Sequence, residues 1–138
     1  MGLIAITRRL PEVALERLQT AGHDLRLHDA DDPPTRDALM DLVRDVDGIV
    51  CLLSDRIDAA LLDAAGPRLK VVANYAVGLD NVDRAACAQR GVAVAHTPGV
   101  LTEATADQAW ALLLALARRV LEGHRLVASG AWQGWAPL

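Results

Sequence analysis

The chain has 138 residues, enough for one domain with a real core; 52% are hydrophobic, aromatics make up only 3%, and phenylalanine is absent. With 14 basic against 18 acidic residues the net charge is -4, and the basic doublets Arg8-Arg9 and Arg118-Arg119 carry no interleaved aromatics, which argues against a nucleic-acid surface. The longest unbroken apolar run, 109–117, is half of the roughly 18 residues a membrane span needs, and no charged start with a long apolar segment marks a signal peptide, so neither a membrane partner nor export is expected.

In chain order, "LIAIT" (3–7) reads as a first strand, and Pro11 suits the opening turn of a helix over 11–20 that Gly22 follows. "DLRLHD" (24–29) is a second strand, "DADDPP" (29–34) an exposed loop, and 35–43 a helix. "GIVCLL" (48–53) is a third strand, followed by a helix over 58–65 with Asp58 placed to cap it and Gly66 beyond its end. "LKVVANY" (69–75), a helix over 82–90 ended by Gly91, and "VAVAHT" (92–97) complete the series. Strand–helix alternation at this spacing predicts a parallel sheet with helices on both faces, and right-handed crossovers make it doubly wound α/β. An aliphatic core suits such a sheet. Cys51 and Cys87 sit in apolar and helical stretches and read as buried, inert thiols, which fits a reducing cytoplasm.

Beyond Thr97 the pattern changes. Thr102 is placed as an N-cap with Glu103 in the first turn of one long helix, "EATADQAWALLLALARRVLEGH". Its middle is apolar on all sides, which requires burial against more than one surface and so implies a second domain or a partner chain. The closing "RLVASGAWQGWAPL" carries Trp132 and Trp135 without a terminating element and reads as a chain that stops early.

In an open α/β sheet ligands bind outside the carboxyl ends of the strands. Of the loops there ("TRR", "LLSD" and "YAVGLDN"), the last has the most suggestive chemistry. Gly78 tolerates unusual backbone angles and admits close approach, and consecutive N–H groups near a helix entrance can hold a small anion such as a carboxylate. On spacing alone the glycine serves a turn or a ligand equally well. The four histidines (His23, His28, His96 and His124) lack metal-ligand spacing, and the aspartates at 29, 31 and 32 lack the glycine and distal glutamate of a calcium loop. Ser54 has no nucleophile-elbow glycines, and neither G-x-G-x-x-G nor a P-loop motif occurs.

The stretch "VVANYAVGLDNVDRAACAQRGVAVAHTPGVLTEATADQAWALLLALARR", with "CLLSDRID" and "SGAWQGWAPL", resembles the D-isomer-specific 2-hydroxyacid dehydrogenases, and within them the glyoxylate/hydroxypyruvate reductase branch. The resemblance implies a flavodoxin-like substrate domain over 1–98 with a five-stranded sheet, an interdomain linking helix over 99–125 and the start of a dimerisation arm over 126–138. The nucleotide-binding domain of the family is absent from this stretch of sequence. By position it also implies that the Val77 and Gly78 amides hold the substrate carboxylate, that Leu53 is an apolar wall with Ala76 nearby, and that Thr105 faces the cofactor. Trp135, with Trp132, would reach a neighbouring subunit's cleft in a homodimer. NAD or NADP would serve the full-length parent, with a small 2-oxo or 2-hydroxy acid as substrate. The phosphate-binding glycines, the substrate-orienting Arg and the His–Glu pair of the family have no counterpart here, so no catalytic residue, metal or bound cofactor is expected in this chain, and it is expected to be inactive alone. The competing expectation is a non-catalytic assembly module that pairs or swaps through the long helix.

Overall fold

The structure is a computed structural model that describes residues 1–136; Pro137 and Leu138, the last two of the expected arm, lie outside the described residues. Strands β1 (Leu3–Ile6), β2 (Asp24–Leu27), β3 (Gly48–Cys51), β4 (Val71–Asn74) and β5 (Ala93–Ala95) form one all-parallel sheet in the order β2-β1-β3-β4-β5. Helices α1 (Glu12–Thr20), α2 (Arg36–Leu42), α3 (Ala59–Ala65) and α4 (Arg84–Gln89) alternate with the strands. Two further helices, α5 (Thr102–Ala117) and α6 (Val120–Ala128), follow. The chain divides into two compact units, Met1–Gly99 and the residues from Val100 onward.

Register explains the layering. Ala5, Ile49, Val72 and Val94 stand side by side across the strands, and Ala5, Ile49, Val72 and Cys51 pack with Leu39 and Val43 of α2, Leu61, Leu62 and Ala65 of α3, and Ala86 and Cys87 of α4. Since neighbouring strand residues point to opposite faces, Ile6, Val50, Ala73 and Ala95 occupy the other face. There α1, which buries no residue fully, borders a groove of about 460 Å³ lined by Val13, Ala14, Leu18, Val50, Ala73 and Ala95. Gly48 lets the strands pack closely here: a Cβ would come within 2.9 Å of Ile4 Cδ1 and 3.2 Å of Val71 Cγ1, so these side chains would have to shift.

Several terminators behave as the sequence suggests. Asp58 caps α3 by accepting from Leu61 N–H at 3.0 Å, and Gly22, Gly66 and Gly91 take positive φ after their helices. Others differ. Pro11 stands at the N-cap of α1 rather than inside it, and Thr102 is the first residue of α5, whose N-cap is Leu101. The helix expected to run unbroken to His124 is two helices: Arg119 takes a left-handed φ of 53° between α5 and α6, and its guanidinium pairs with Glu122. Neither glycine nor proline marks the break. In the second unit every described residue except Ala115 is exposed, Trp110, Leu113 and Leu116 among them.

Candidate functional site

The carboxyl ends of β3 and β4 lie side by side, Cys51 in register with Asn74. The chain leaving β4 makes its next turn through Ala76, Val77 and Gly78, and a row of hydrogen bonds fixes which way each peptide faces. The Ala76 carbonyl accepts from Thr97 N–H at 3.0 Å, the Val77 carbonyl bonds His96 Nδ1 at 2.8 Å, and the Gly78 carbonyl accepts from Asn74 Nδ2 at 2.9 Å. In a trans peptide the N–H points opposite to its carbonyl. The amides of Val77, Gly78 and Leu79 are therefore aimed away from these partners, and among the described residues none of them donates to protein. Unpaired backbone donors need water or a ligand. Val77 and Gly78 are exposed, and Ala76 is half-buried.

Gly78 corrects one expectation. Its φ is not in the positive region, so no unusual backbone angle requires glycine, and a Cβ there would touch only Asp80 Oδ2, at an ordinary 3.4 Å. The chain's own packing thus gives no reason for a glycine. The same contact places the Asp80 carboxylate beside Gly78.

The second wall is the turn after β3. Asp55, 3% exposed, accepts from Thr7 Oγ1 at 2.5 Å and from Leu52 N–H at 2.8 Å, while its own N–H donates to Leu52 O at 3.0 Å. This tight turn leaves Leu53 72% exposed. Arg8 donates to Ser54 Oγ at 3.0 Å and to the Asp31 carbonyl at 2.8 Å, bridging the point where strand order reverses between β1 and β3. Arg8 thus spans the general ligand crevice of this topology, and the amides without protein acceptors lie one strand over. Ile57 and Val82 pair as a parallel bridge, with Ile57 N–H donating to Asn81 O and Asp83 N–H to Ile57 O, so the loops after β3 and β4 are zipped together. Asp83 caps α4 through Ala86 N–H at 2.9 Å.

Leu53, Ala76, Val77 and Gly78 all fall at these two adjacent loops of the first unit. Thr105, in the first turns of α5, and Trp132 and Trp135, 58% and 85% exposed, belong to the second unit. Asn74 and Asn81, which tie the two loops, carry no signal as site residues in the sequence beyond an amide side chain ending an apolar strand.

Other chemistry is disfavoured at this site. Burial, with the neighbouring Asp55 charge, pushes the Cys51 thiol up to about 12, far from a thiolate at neutral pH. Among the described residues no group of three or more His, Cys, Asp or Glu is placed to hold a metal. Nor do the residues fit a dinucleotide: the β1–α1 turn has no glycine, Pro11 at the N-cap offers no N–H, and Glu12 opens the helix with a negative charge. Among the described residues no helix is long and apolar enough to cross a membrane.

An all-parallel sheet whose loops at the carboxyl ends of β3 and β4 carry an exposed leucine and backbone amides without a protein acceptor defines the class: an α/β domain with main-chain donors open at the mouth of its sheet. The sequence pattern of the D-isomer specific 2-hydroxyacid dehydrogenase catalytic domain matches residues 4–127. Relatives include the glyoxylate reductases of Thermococcus onnurineus, 47% identical, and Thermococcus litoralis, 45% identical, each aligned over 98% of this chain. Among solved structures, the TT0316 protein of Thermus thermophilus superposes with a TM-score of 0.89 at 46% identity, covering 98% of this chain and 43% of that one. The 2-hydroxyacid dehydrogenase of Ketogulonicigenium vulgare does so at 0.74 and 31% identity, covering 99% and 42%. The chain belongs to the D-isomer specific 2-hydroxyacid dehydrogenase family. It spans 41% of the length of the two glyoxylate reductases.

Proposed function

We propose that the turn after β4 is the carboxylate-binding half of a 2-oxo acid site, the N–H groups of Val77 and Gly78 taking the two carboxylate oxygens. Leu53 supplies an apolar wall beside the substrate and Ala76 leaves room for it. The substrate is a small 2-oxo acid such as glyoxylate or hydroxypyruvate, and the longer parent protein reduces it with NAD or NADP in the cytoplasm. In that parent Thr105 faces the cofactor and Trp135 reaches a neighbouring subunit's cleft. This chain alone binds and orients; it has no group to deliver hydride or donate the proton at the carbonyl, and it turns over no substrate.

The observation that carries the reading is the set of outward amides, with three successive carbonyls tethered to Thr97, His96 and Asn74. Preorganised donors cost little to align when the anion arrives. Titration of the 15N-labelled chain with glyoxylate tests it. Saturable amide shifts centred on Val77 and Gly78 support the reading; shifts confined to other loops, or none, refute it.

A second reading rests on a different feature. The exposed apolar residues of α5 and α6, Leu116 at 80% exposure among them, suit a homodimer built through these helices. Sedimentation of the chain at high concentration decides it: a dimer that L113E/L116E returns to monomer supports this surface, and a clean monomer removes it.

A further inference from the structure

Asn81 stands between the two walls of the half-site and bonds to both. Its Nδ2 donates to Leu52 O and to Asp55 O, each at 3.0 Å, and more distantly to Asn74 Oδ1 at 3.2 Å. Its Oδ1 accepts from Asn74 Nδ2 at 3.0 Å, and its backbone carbonyl accepts from Ile57 N–H at 2.9 Å. Asn74, only 2% exposed, spends its second amide hydrogen on the Gly78 carbonyl. One continuous chain of bonds therefore runs from the turn that presents Leu53, through Asn81 and Asn74, to the peptide that follows Gly78. The amide orientation of Asn81 is dictated by its partners. Reversed, its oxygen would face two carbonyl oxygens, and its two hydrogens would lose both acceptors.

We infer that Asn81 is a positioning residue: acting through Asn74, it locks the apolar wall and the anion cradle into one rigid unit, so that carboxylate affinity depends on it although it does not touch the substrate. Half-buried amide side chains are an expensive way to fill space, and an apolar residue would do so without desolvation. What an amide adds here is connection. With Asn81 in place, the Gly78 carbonyl stays turned inward, which fixes the Gly78–Leu79 peptide and so holds the C-terminal side of the turn that presents the Val77 and Gly78 N–H groups. Without it, Asn74 is left with an unused donor, the Leu52 and Asp55 carbonyls lose their shared partner, and the two loops move independently.

The inference rests on the carboxylate reading for its affinity effect, and the test separates the two. Asn81→Ala is compared with wild type and with Val46→Ala, which opens the fully buried core at a distance from the site and lowers stability by packing alone. Each 15N-labelled chain is titrated with glyoxylate, and amide exchange is followed without ligand. The expected result is a loss of about tenfold or more in glyoxylate affinity for N81A, with V46A near wild type, since hydrogen-bonded positioning of this kind is worth on the order of a decade. The N–H of Asp55, bonded to Leu52 O, should exchange faster in N81A and at an unchanged rate relative to global unfolding in V46A. Equal affinity losses in the two variants, or Asp55 exchange in N81A that only tracks global stability, would overturn the inference. If wild type itself shows no glyoxylate shift at Val77 and Gly78, the carboxylate reading falls, and Asp55 exchange alone then judges the coupling. Should N81A not fold, Asn81→Ser, which keeps one donor, is used in its place with the same outcomes.

Discussion

Gly78→Ala separates a glycine kept for the chain from one kept for a ligand. The backbone there has no positive φ, and the added methyl would meet only Asp80 Oδ2 at 3.4 Å, an ordinary contact. Alanine for glycine at a compatible site usually stabilises by ~0.4–1 kcal/mol, because the unfolded chain loses freedom. For a unit of this size that is a Tm gain of roughly 2–6 °C. The methyl would nevertheless stand over the amides that a carboxylate must approach to hydrogen-bond distance. Loss of one charge-assisted hydrogen bond costs ~1.5–3 kcal/mol, or a drop of roughly 10- to 150-fold in affinity. Thermal unfolding and glyoxylate titration on the same preparation give both numbers. A variant with unchanged affinity and a Tm lowered by several degrees would refute the reasoning, because the glycine would then serve the fold.

Other outcomes follow from the same geometry. Asp80→Asn removes a negative charge beside the cradle and should tighten glyoxylate binding by about fivefold, the Coulomb energy of two charges about 4 Å apart in water being ~1 kcal/mol; weaker binding would mean that Asp80 assists the anion instead. At Asp58 burial pushes the carboxyl up, but the Arg36 hydrogen bond, the Leu61 N–H and the charges of Arg36 and Arg56 outweigh it and hold the group below its usual value. The sign follows: its contribution is present above the unfolded pKa of about 3.9 and is lost as pH falls through the lower folded value. Asp58→Asn keeps a competent cap and removes the charge, so its Tm should lie below wild type near neutrality and converge with it in acid; a constant gap at all pH would contradict this. Cys51 and Cys87, both buried with raised pKa, should react with a thiol reagent only on unfolding, and rapid labelling of the native chain would count against the core described above.

The sheet was legible because strand and helix periods alternate cleanly, with Asp58, Gly22, Gly66 and Gly91 as punctuation whose chemistry is local. Residues at strand ends were over-assigned: Leu52, Leu53 and Tyr75 continue the apolar runs of β3 and β4 but lie beyond the last ladder pairs, where the chain turns toward the site. The break at Arg119 left no mark, since a left-handed arginine stabilised by Glu122 looks like any helical residue in sequence. At the site, a turn could be suspected from a glycine at a helix entrance, but the outward orientation of its amides could not. The tethers that turn the carbonyls inward come from Thr97, His96 and Asn74, and the bonds of Asn81 span 26 to 29 residues to Asp55 and Leu52. Such long-range bonds leave no local pattern. Asp80, Asn81 and Asp83 sit within four positions of each other and do different things: Asp80 lies beside Gly78, Asn81 ties two loops, and Asp83 caps a helix.

The most direct measurement is a crystal structure of this chain grown with glyoxylate. The account predicts a carboxylate whose two oxygens lie within about 2.7–3.2 Å of the Val77 and Gly78 nitrogens, with Leu53 against its far side. A carboxylate bound elsewhere, or a turn whose amides have rotated inward onto the protein's own carbonyls, would contradict it.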